Sequence, residues 1–277
     1  MLPSEDVAHA TVVHSGVSFE ILRGKFVRQR FAPHLHDTYA IGVMESGAAT
    51  CKARGGKSTH ARGDLITIEP DEVHTGEPLT AEGWSYRMLY IPREIMSRAN
   101  GQDALPRFAS TCVHDSELAV RLARVHRLLE QKGDPLHQEA ALMNALHAIC
   151  TRHAPERQVA VQATSPNALR RVREYLQAHF AERVCLGDLT VVAGMSAFHL
   201  IRQFRRYYGV PPYRYLELVR VEHARLLLRR GARISEVAFA TGFSDQSHLT
   251  RQFKRVHGVT PGSYAQSYRP HPMTFAD

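Results

Sequence analysis

The sequence lacks the features that mark membrane proteins and secreted proteins. The 277-residue chain contains no run of about 18 apolar residues, so no membrane-spanning helix is expected. Its first residues, MLPSEDVAHATVVHSG, have neither a basic start nor an apolar segment and predict no secretory signal. The cysteines are scattered and none forms a Cys-x-x-Cys pair, which argues against a disulfide framework or a structural zinc site: Cys51, Cys112, Cys150 and Cys185. These absences predict a cytoplasmic protein with reduced thiols.

Catalytic signatures are also missing. The chain has no Walker loop, no G-x-S-x-G motif and no dinucleotide-binding fingerprint. We therefore expect neither enzymatic activity nor a bound cofactor.

Acidic residues are scarce in only one part of the chain. Residues 1–165 contain 18 Lys or Arg and 19 Asp or Glu, a net charge of −1. Residues 166–277 contain 17 Lys or Arg, 16 of them Arg, and 8 Asp or Glu, a net charge of +9. This asymmetry indicates a polyanion-binding module joined to a nearly neutral one. A basic surface that is only solvated is the alternative.

Secondary-structure patterns change along the chain. Short segments that mix apolar and polar residues between Gly, Pro and Asp predict strands, among them YAIGVMESG, DLITIEP and SYRMLYIP. Their close spacing is typical of a small sandwich or barrel. Apolar residues at helical spacing then predict one helix with Ser116 as N-cap and Gly133 as its end, and another that starts at Pro135.

A segment without sustained periodicity separates this part from a purely helical one. Ser165 and Pro166 are the expected cap and first turn of the first helix beyond it. The predicted organisation is an N-terminal domain over 1–153, a linker over 154–165, a helical domain over 166–270 and a tail over 271–277.

Two stretches of the helical domain are nearly the same. HLIRQFRRYYGVPP at 199–212 and HLTRQFKRVHGVTP at 248–261 share nine of fourteen residues at an offset of 49. Each follows a short helix and a tight turn, which predicts two helix-turn-helix units. Ser196 and Ser244 are the predicted N-caps of the second helices, and Gly209 and Gly258 their predicted ends.

Helical spacing gives each repeat an apolar face and an Arg-rich face. The apolar faces are expected to pack on the short helices and consist of Leu200, Phe204 and Tyr207 in one copy and Leu249, Phe253 and Val256 in the other. The opposite faces carry Phe198, His199, Arg202 and Arg206 in the first copy and Ser247, His248, Arg251 and Arg255 in the second, with Arg205 and Lys254 at the margins. Gln246 and Thr250 add polar groups. Arg donates bidentately to guanine or to phosphate, so these faces are predicted to contact DNA in the major groove. A solvated surface is the alternative for any single arginine.

The helix between the repeats is predicted to be nearly as long as one turn of B-DNA. Pro212 to Gly231 would span roughly 30 Å, and one turn of B-DNA is about 34 Å. We therefore expect this helix to hold the two units at successive major grooves.

The region 166–270 closely resembles the DNA-binding domain of the AraC/XylS family of bacterial transcription regulators. The resemblance rests on AGMSAFHLIRQFRRYYGVPPYRYLELVRVEHARLLL and ISEVAFATGFSDQSHLTRQFKRVHGVTPGSY. It implies about seven helices with two helix-turn-helix units. It also implies DNA contacts from Phe198, Ile201, Arg202, Gln246, Ser247, His248 and Arg251. Ile201 stands where the family often has a polar residue, which predicts that the first unit contacts fewer bases.

The stretches FAPHLHDTYAIGVMESG and RGDLITIEPDEVHTGEP resemble the cupin-like, effector-binding β-barrel of the same family. The implied fold is a two-domain α+β protein, in which a cupin-like barrel with a helical appendage precedes an all-α domain. The predicted effector-pocket residues are His34, His36, Tyr39 and His74. Polar residues at the barrel mouth that only bind loops are the alternative. Trp84 and Tyr86 are weaker candidates, because strand aromatics are more often part of the core.

The histidines raise the question of a metal. Metal-binding cupins carry a Glu four or five residues after His-x-His, where this chain has Ala40 and Ile41, and its nearest glutamate is Glu45. No metal is therefore predicted. A divalent ion held by His34, His36 and His74 is the alternative.

The predicted function is a sequence-specific, ligand-responsive transcription regulator. Its expected partners are double-stranded DNA and a small-molecule effector, with RNA polymerase and a second copy of the chain as further ones. The helices within 116–152 are candidates for a dimer interface or for contact with the DNA-binding domain, and packing in the core of the barrel domain is the alternative. The alternatives are a metal-dependent cupin enzyme fused to a helical domain, which leaves the repeat unexplained, and a DNA-binding protein whose barrel only dimerises.

Overall fold

The computed structural model describes residues 6–15, 17–101, 105–154 and 167–267. They form two compact units, one built on a β-sheet and one that is helical apart from the short segment Ala32–His34. Apart from Ala154, the predicted linker and tail lie outside the described residues, as do the predicted cap Ser165 and Pro166, so the boundaries at 153 and 166 stay predictions. No helix in the described part of the chain is long and apolar enough to cross a membrane.

Nine described strands form the sheet, and all of them except most of β3 belong to the first unit. They are β1 (Val7–Ser15), β2 (Val17–Phe26), β3 (Phe31–His34), β4 (Tyr39–Ala53), β5 (Gly56–Ala61), β6 (Leu65–Ile68), β7 (His74–Pro78), β8 (Trp84–Ile91) and β9 (Cys112–Val113). The main strand order is β1-β2-β8-β4-β6-β9. In addition, β5 and β7 pair with β4, and β3 pairs with β7. The three segments predicted as strands correspond to β4, β6 and β8.

The long strand β4 connects the two halves of this sheet. Up to Gly47 it pairs with β8, whereas from Ala48 it pairs with β5. The register with β8 shifts between Met44 and Ser46, and such a bulge bends a strand. Gly47 has a φ of +70°, and a Cβ there would lie 2.1 Å from the Gly83 carbonyl oxygen, so only glycine fits.

The sheet has a core on each of its faces, because alternate strand residues point to opposite sides. On one face, Ile41 and Leu89 pack with the helices α1 (Arg93–Asn100), α2 (Ser116–Leu129) and α3 (Pro135–His153). The other face is the aromatic cluster, defined here as Phe26, Ala40, Met44, Ala49, Ile66, Ile68, Trp84, Tyr86 and Met88.

Two predicted details of these helices are wrong. Asp115 rather than Ser116 caps α2, since its carboxylate accepts a backbone N–H of the first turn at 3.0 Å. The helix ends at Leu129 rather than at Gly133, because the following residues turn towards the N-cap of α3. Helix α3 starts at Pro135 as predicted.

The second unit consists of seven described helices, in agreement with the prediction. They are α4 (Asn167–Ala178), α5 (Leu186–Ala193), α6 (Ala197–Tyr208), α7 (Pro212–Arg229), α8 (Ile234–Ala240), α9 (Gln246–His257) and α10 (Pro261–Ser267). Helix α7 is central and contacts α4, α6, α8, α9 and α10. The predicted fold class, a sheet-rich unit with appended helices followed by an all-α unit with two helix-turn-helix units, is confirmed.

Candidate nucleic-acid interface and effector site

The two helix-turn-helix units differ in the length of their turns. Each turn contains a glycine in the left-handed region, Gly194 in the first unit and Gly242 in the second. Helix α6 is capped by Ser196 as predicted, whereas α9 is capped by Asp245, whose carboxylate accepts a backbone N–H at 2.7 Å. Ser244 is therefore not the cap, and its hydroxyl donates to the Asp245 carboxylate at 2.9 Å. Counted from the glycine to the N-cap, the second turn is one residue longer than the first.

The repeated helices bury the predicted faces. Leu200 and Phe204 of α6 are fully buried, and Tyr207 is half-buried near the end of the helix. The equivalent face of α9 is buried completely, through Leu249, Phe253 and Val256. Both helices end as predicted at glycines with positive φ, Gly209 and Gly258. This packing determines which faces of α6 and α9 stay in contact with solvent.

Most of the predicted DNA-contacting residues lie on the solvent-facing sides of α6 and α9. Nine side chains are exposed, namely Phe198, His199, Ile201, Arg202, Arg206, Gln246, Ser247, Arg251 and Arg255, and so are the marginal Arg205 and Lys254. His248 and Thr250 are half-buried. Each helix therefore presents a basic, solvent-accessible face.

Four exposed arginines recur at equivalent positions. Arg202 and Arg206 of α6 correspond to Arg251 and Arg255 of α9 at the offset of 49. Among the described residues, none of the four forms an ion pair with a carboxylate. Their charges are available to an external anion.

Other arginines of the same unit have structural partners. Arg214 donates to Glu217 at 2.9 Å, and Arg225 donates to Glu222 at 2.8 and 2.9 Å. Arg220 donates to the backbone carbonyl of Phe180 at 2.7 Å. The excess positive charge of the unit is thus not spread evenly over its arginines, and α6 and α9 carry four of those without an acidic partner.

The two exposed faces differ in chemistry. Phe198 is 75% exposed, and the Arg202 guanidinium carbon lies 5.7 Å from its ring centroid. In α9, Thr250 donates its hydroxyl hydrogen to the Gln246 carbonyl at 2.8 Å, so the hydroxyl offers an acceptor to DNA. The His248 ring lies against Phe243, and its Nδ1 is 3.2 Å from the Ser244 hydroxyl. The first face is the more apolar, and the second is the more polar.

Three of the four predicted effector-pocket residues come together. One imidazole nitrogen from each of His34, His36 and His74 lies within 4.8 Å of the other two. The His36 ring is also 4.9 Å from the Tyr90 ring. Sequence reasoning missed Tyr90, which lies about 50 residues away along the chain and is brought to His36 only by the fold.

Hydrogen bonds fix the tautomers of two of these histidines. His34 Nδ1 lies 2.8 Å from the Ala32 carbonyl oxygen, and His74 Nδ1 lies 2.8 Å from the Glu72 carbonyl oxygen. Because a carbonyl only accepts, each Nδ1 carries the hydrogen, and the acceptor of each neutral ring is Nε2. Burial lowers the pKa of His74 to about 4, so this ring is neutral at pH 7.

Tyr39 is not brought to the histidines. Its ring is buried in the core beneath α1–α3, and its hydroxyl donates to the Pro106 carbonyl at 2.9 Å. His36 contacts Tyr90, which pairs with Ala40 in the sheet and packs on the aromatic cluster of the opposite face. Alternation along β4 thus separates Tyr39 from the histidine group.

The weaker candidates Trp84 and Tyr86 belong to the aromatic cluster. Both are buried, and the Trp84 indole N–H has no hydrogen-bond partner among the described residues. A buried donor without a partner is unusual in a folded protein. Glu45, the nearest glutamate after the His-x-His motif, is bound by Arg87 at 2.6 Å.

Comparison with known proteins decides the family. A family model of the AraC-like ligand binding domain matches residues 16–146, and a helix-turn-helix domain matches residues 189–267. A protein of Bacillus subtilis (strain 168) described as the uncharacterized HTH-type transcriptional regulator YbfI is 32% identical over 232 residues, which are 82% of this chain and 84% of that protein. The chain belongs to the AraC/XylS family.

Further relatives agree with this assignment. The HTH-type transcriptional activator RhaS of Klebsiella pneumoniae (strain 342) is 23% identical over 259 residues, covering 86% of this chain and 90% of RhaS. The crystal structure of ToxT from Vibrio cholerae O395 has a TM-score of 0.57 at 12% identity and covers 95% of this chain and 99% of that one. This last similarity concerns the fold.

The protein is accordingly an AraC-type transcription regulator with an N-terminal ligand-binding domain and a DNA-binding helix-turn-helix domain. The relatives named by the comparisons are regulators, which agrees with a regulatory rather than a catalytic function.

Proposed function

We propose that α6 and α9 bind duplex DNA together, with Arg202, Arg206, Arg251 and Arg255 as their principal contacts. The observation that carries this proposal is the recurrence of arginines without acidic partners at the same positions of both helices. Buried arginines of this unit have acidic partners, and these four face solvent. Arginine binds phosphate and the guanine edge through two parallel hydrogen bonds. These bonds offset the free-energy cost of removing water from the guanidinium group.

Helix α7 supports a composite binding site. It has 18 residues, two fewer than predicted, and spans about 27 Å at the rise of an α-helix. That length approaches the distance of about 34 Å between successive major grooves on one side of B-DNA. Since α7 contacts both α6 and α9, we propose that it keeps the two recognition helices at this separation.

The test uses the full chain and a DNA site selected from a randomised library. Arg251→Ala should weaken binding to the selected site by about 1–3 kcal/mol and relax the preference at one base position. Arg62→Ala is the matched control, because it removes an exposed arginine of the sheet-rich unit that has no described partner. Unchanged affinity and base preference in the Arg251 variant would remove this residue from the interface.

The salt dependence of binding gives a second, independent measurement. A Lys or Arg that neutralises a phosphate contributes about one unit to the slope of log K against log salt. Arg206→Ala and Arg255→Ala should each reduce that slope by about 1 if they contact phosphate. A salt-independent affinity of the wild-type protein would contradict the electrostatic basis of the proposal.

For the N-terminal domain, we propose that a small effector binds beside His36, His74 and Tyr90, with the aromatic cluster as its apolar wall. The His74 ring is neutral and lies 5.3 Å from the His36 ring, and two imidazoles beside a ligand favour polar groups on it such as a hydroxyl or an amine. The buried Trp84 N–H favours an acceptor on the same ligand. ToxT has been crystallised with an unsaturated fatty acid, which supports an apolar portion in the ligand of this fold.

Thermal unfolding in the presence of polyols, monosaccharides, amines and fatty acids tests this site. A true effector at 100 times its Kd should stabilise the protein by about 2.7 kcal/mol. His36→Ala should abolish the shift, whereas His137→Ala, which changes an exposed histidine of α3, should preserve it. A ligand that stabilises wild type and both variants equally would bind elsewhere. The absence of any stabilising ligand would favour a domain that only dimerises.

We also propose a homodimer formed through the outer surface of α2 and α3, where Val120 and Leu136 are exposed. Sedimentation at increasing concentration tests it, and Val120→Asp should shift the chain towards monomer.

RNA polymerase is the further partner that an AraC-type regulator would meet at a promoter. Transcription in vitro with and without the protein tests that contact.

A further inference from the structure

A cysteine, a histidine and an aspartate meet at one edge of the sheet, on a part of the N-terminal unit that the proposed function does not use. Asp64 directly precedes β6, and Cys112 lies on β9, where it pairs with Ile66. His114 follows β9 directly. One ligand atom from each of Asp64, Cys112 and His114 lies within 4.8 Å of the other two.

Asp64 already forms a hydrogen bond with each of the other two residues. The His114 Nδ1 is 2.6 Å from Asp64 Oδ1, and the Cys112 Sγ is 3.6 Å from Asp64 Oδ2. The Cys112 thiol also lies 3.2 Å from the Thr59 carbonyl oxygen, to which it donates. Asp64 itself is buried, and its Oδ2 accepts the Ala61 backbone N–H at 2.7 Å, which holds the carboxylate in place.

A fourth polar side chain lies close behind the group. His60 of β5 is 2% exposed, and its Nδ1 has no hydrogen-bond partner among the described residues. Both chain neighbours of His60 contact the group, since the Thr59 carbonyl accepts from Cys112 and the Ala61 N–H donates to Asp64. Its Nε2 lies 3.1 Å from the Ser58 hydroxyl. The group therefore borders a polar interior rather than an apolar one.

We propose that Asp64, Cys112 and His114 form a Zn²⁺ site. A thiolate, an imidazole and a carboxylate are the three donor types that zinc takes from proteins. With bonds of about 2.0–2.3 Å, tetrahedral ligand atoms lie about 3.3–3.7 Å apart, close to the present separation of the Cys112 and Asp64 atoms. His114 has to withdraw from Asp64 by less than about 1 Å, which its exposed side chain permits.

Binding replaces one proton and one hydrogen bond. The Cys112 S–H bond breaks as the zinc–sulfur bond forms, and the proton leaves to solvent. The His114 Nδ1–H that Asp64 accepts gives up its hydrogen to solvent, and the ring takes up a proton at Nε2, so that neutral imidazole binds the metal through Nδ1. The hydrogen bond between Asp64 and His114 is thus replaced by bonds from both residues to the metal. The thiolate and the carboxylate neutralise the two positive charges of the ion, and water takes the fourth position.

The site would connect the sheet to the helices. Cys112 and His114 flank the last residue of β9, and the next residue, Asp115, caps α2. The Asp115 carboxylate is also bound by Arg152 and His153 of α3, at 2.9 and 2.8 Å. Bound zinc would therefore restrain Asp115, which caps α2 and binds the end of α3. Removing the metal would release this restraint on both helices.

Cobalt titration of the full-length protein tests the assignment. Co²⁺ replaces Zn²⁺ in such sites, and a cobalt–thiolate bond gives an intense near-ultraviolet absorption that histidine and carboxylate ligands do not. Wild type should show this absorption at one equivalent of Co²⁺, and one equivalent of Zn²⁺ should remove it. Cys112→Ser should abolish the absorption, and Cys185→Ser, which changes an exposed free cysteine, should leave it intact.

His114→Ala keeps the test decisive if Cys112→Ser fails to fold. The His114 side chain is exposed, so its removal should not unfold the chain. It should weaken Zn²⁺ binding by more than about 100-fold, since the loss of an outer-shell partner alone costs about 10–100-fold. No thiolate absorption in wild type, or an unchanged one in Cys112→Ser, would overturn the proposal. Metal bound without that absorption would instead belong to His34, His36 and His74.

Discussion

Arginine has two different roles in the helical unit, and the distinction can be made residue by residue. Arg225 is 8% exposed, donates to both carboxylate oxygens of Glu222 and lies 3.2 Å from the Tyr264 hydroxyl. Arg202 and Arg251 are exposed, with no carboxylate partner in the described part of the chain. The first kind stabilises the fold, and the second kind is the one proposed to bind DNA.

Removing Arg225 should therefore affect stability. Arg225→Met leaves Glu222 buried without this partner, and breaking a buried pair costs about 3–5 kcal/mol. Arg170→Met is the control, because it breaks an exposed pair with Glu174, worth about 0.3–0.5 kcal/mol. Denaturant unfolding measures both changes. Equal midpoints for the two variants would contradict the structural role of Arg225.

At the scale of secondary-structure elements, the two helix-turn-helix units have the same order of helices but different turns. A Cβ on Gly242 would lie 2.8 Å from the Ala181 carbonyl oxygen, whereas a Cβ on Gly194 would have nothing within 4 Å. Both glycines have positive φ, at +76° and +64°. The second turn is thus limited by packing against the preceding part of the unit as well as by backbone conformation.

Alanine at these two positions should have unequal effects. Gly194→Ala should destabilise the protein by about 1–2 kcal/mol through left-handed strain alone. Gly242→Ala should add about 1–3 kcal/mol, because the new methyl group must displace backbone. Chemical unfolding of the two variants gives the comparison. A Gly242 variant no less stable than its Gly194 counterpart would show that the contact with Ala181 relaxes at no cost.

The repeat also shows where sequence-based prediction of an element succeeds and fails. The apolar faces follow directly from helical spacing, and all but Tyr207 are fully buried. Ser244, the predicted cap, aligns with Ser196 when the turn glycines are matched, at an offset of 48. The helices themselves repeat at 49, which points from Ser196 to Asp245. The extra residue in the second turn shifts the alignment of the caps by one position. The presence of a serine, a common cap residue, does not reveal this shift.

At the scale of the whole molecule, buried neutral histidines are present in both units. Burial lowers the pKa of His60 and of His74 to about 4, and that of His257 to about 3. In the unfolded chain these rings take up protons near pH 6.5. Between pH 6.5 and about 4 the unfolded state therefore binds more protons, and the free energy of unfolding decreases as the pH is lowered.

Melting temperatures between pH 7 and pH 5 should follow this sign, decreasing towards acid. His74→Gln should flatten the dependence, since the neutral amide cannot take up a proton on unfolding. His137→Gln, at an exposed position, should leave it unchanged. A melting temperature that rises on acidification would contradict the neutral state of these rings.

Local patterns predicted the fold well and the sites only in part. Strand and helix periodicity, the charge asymmetry and the repeat all depend on residues close in sequence, and they predicted two units of the correct class. The side of β4 on which Tyr39 lies depends on register, and the meeting of His36 with Tyr90 depends on strand order. Asp64 and His114 are 50 residues apart, so no spacing rule brings them together.

The continuity of α7 has a consequence for the operators this regulator can use. One residue inserted into a helix rotates everything beyond it by about 100° and advances it by about 1.5 Å. A helix packed against both α6 and α9 has no joint at which such a change could be absorbed. The protein should therefore be sensitive to the phase of its two half-sites. Five base pairs inserted between them turn the second half-site to the far side of a duplex with about 10.5 base pairs per turn, where only one of the two helices can be engaged at a time.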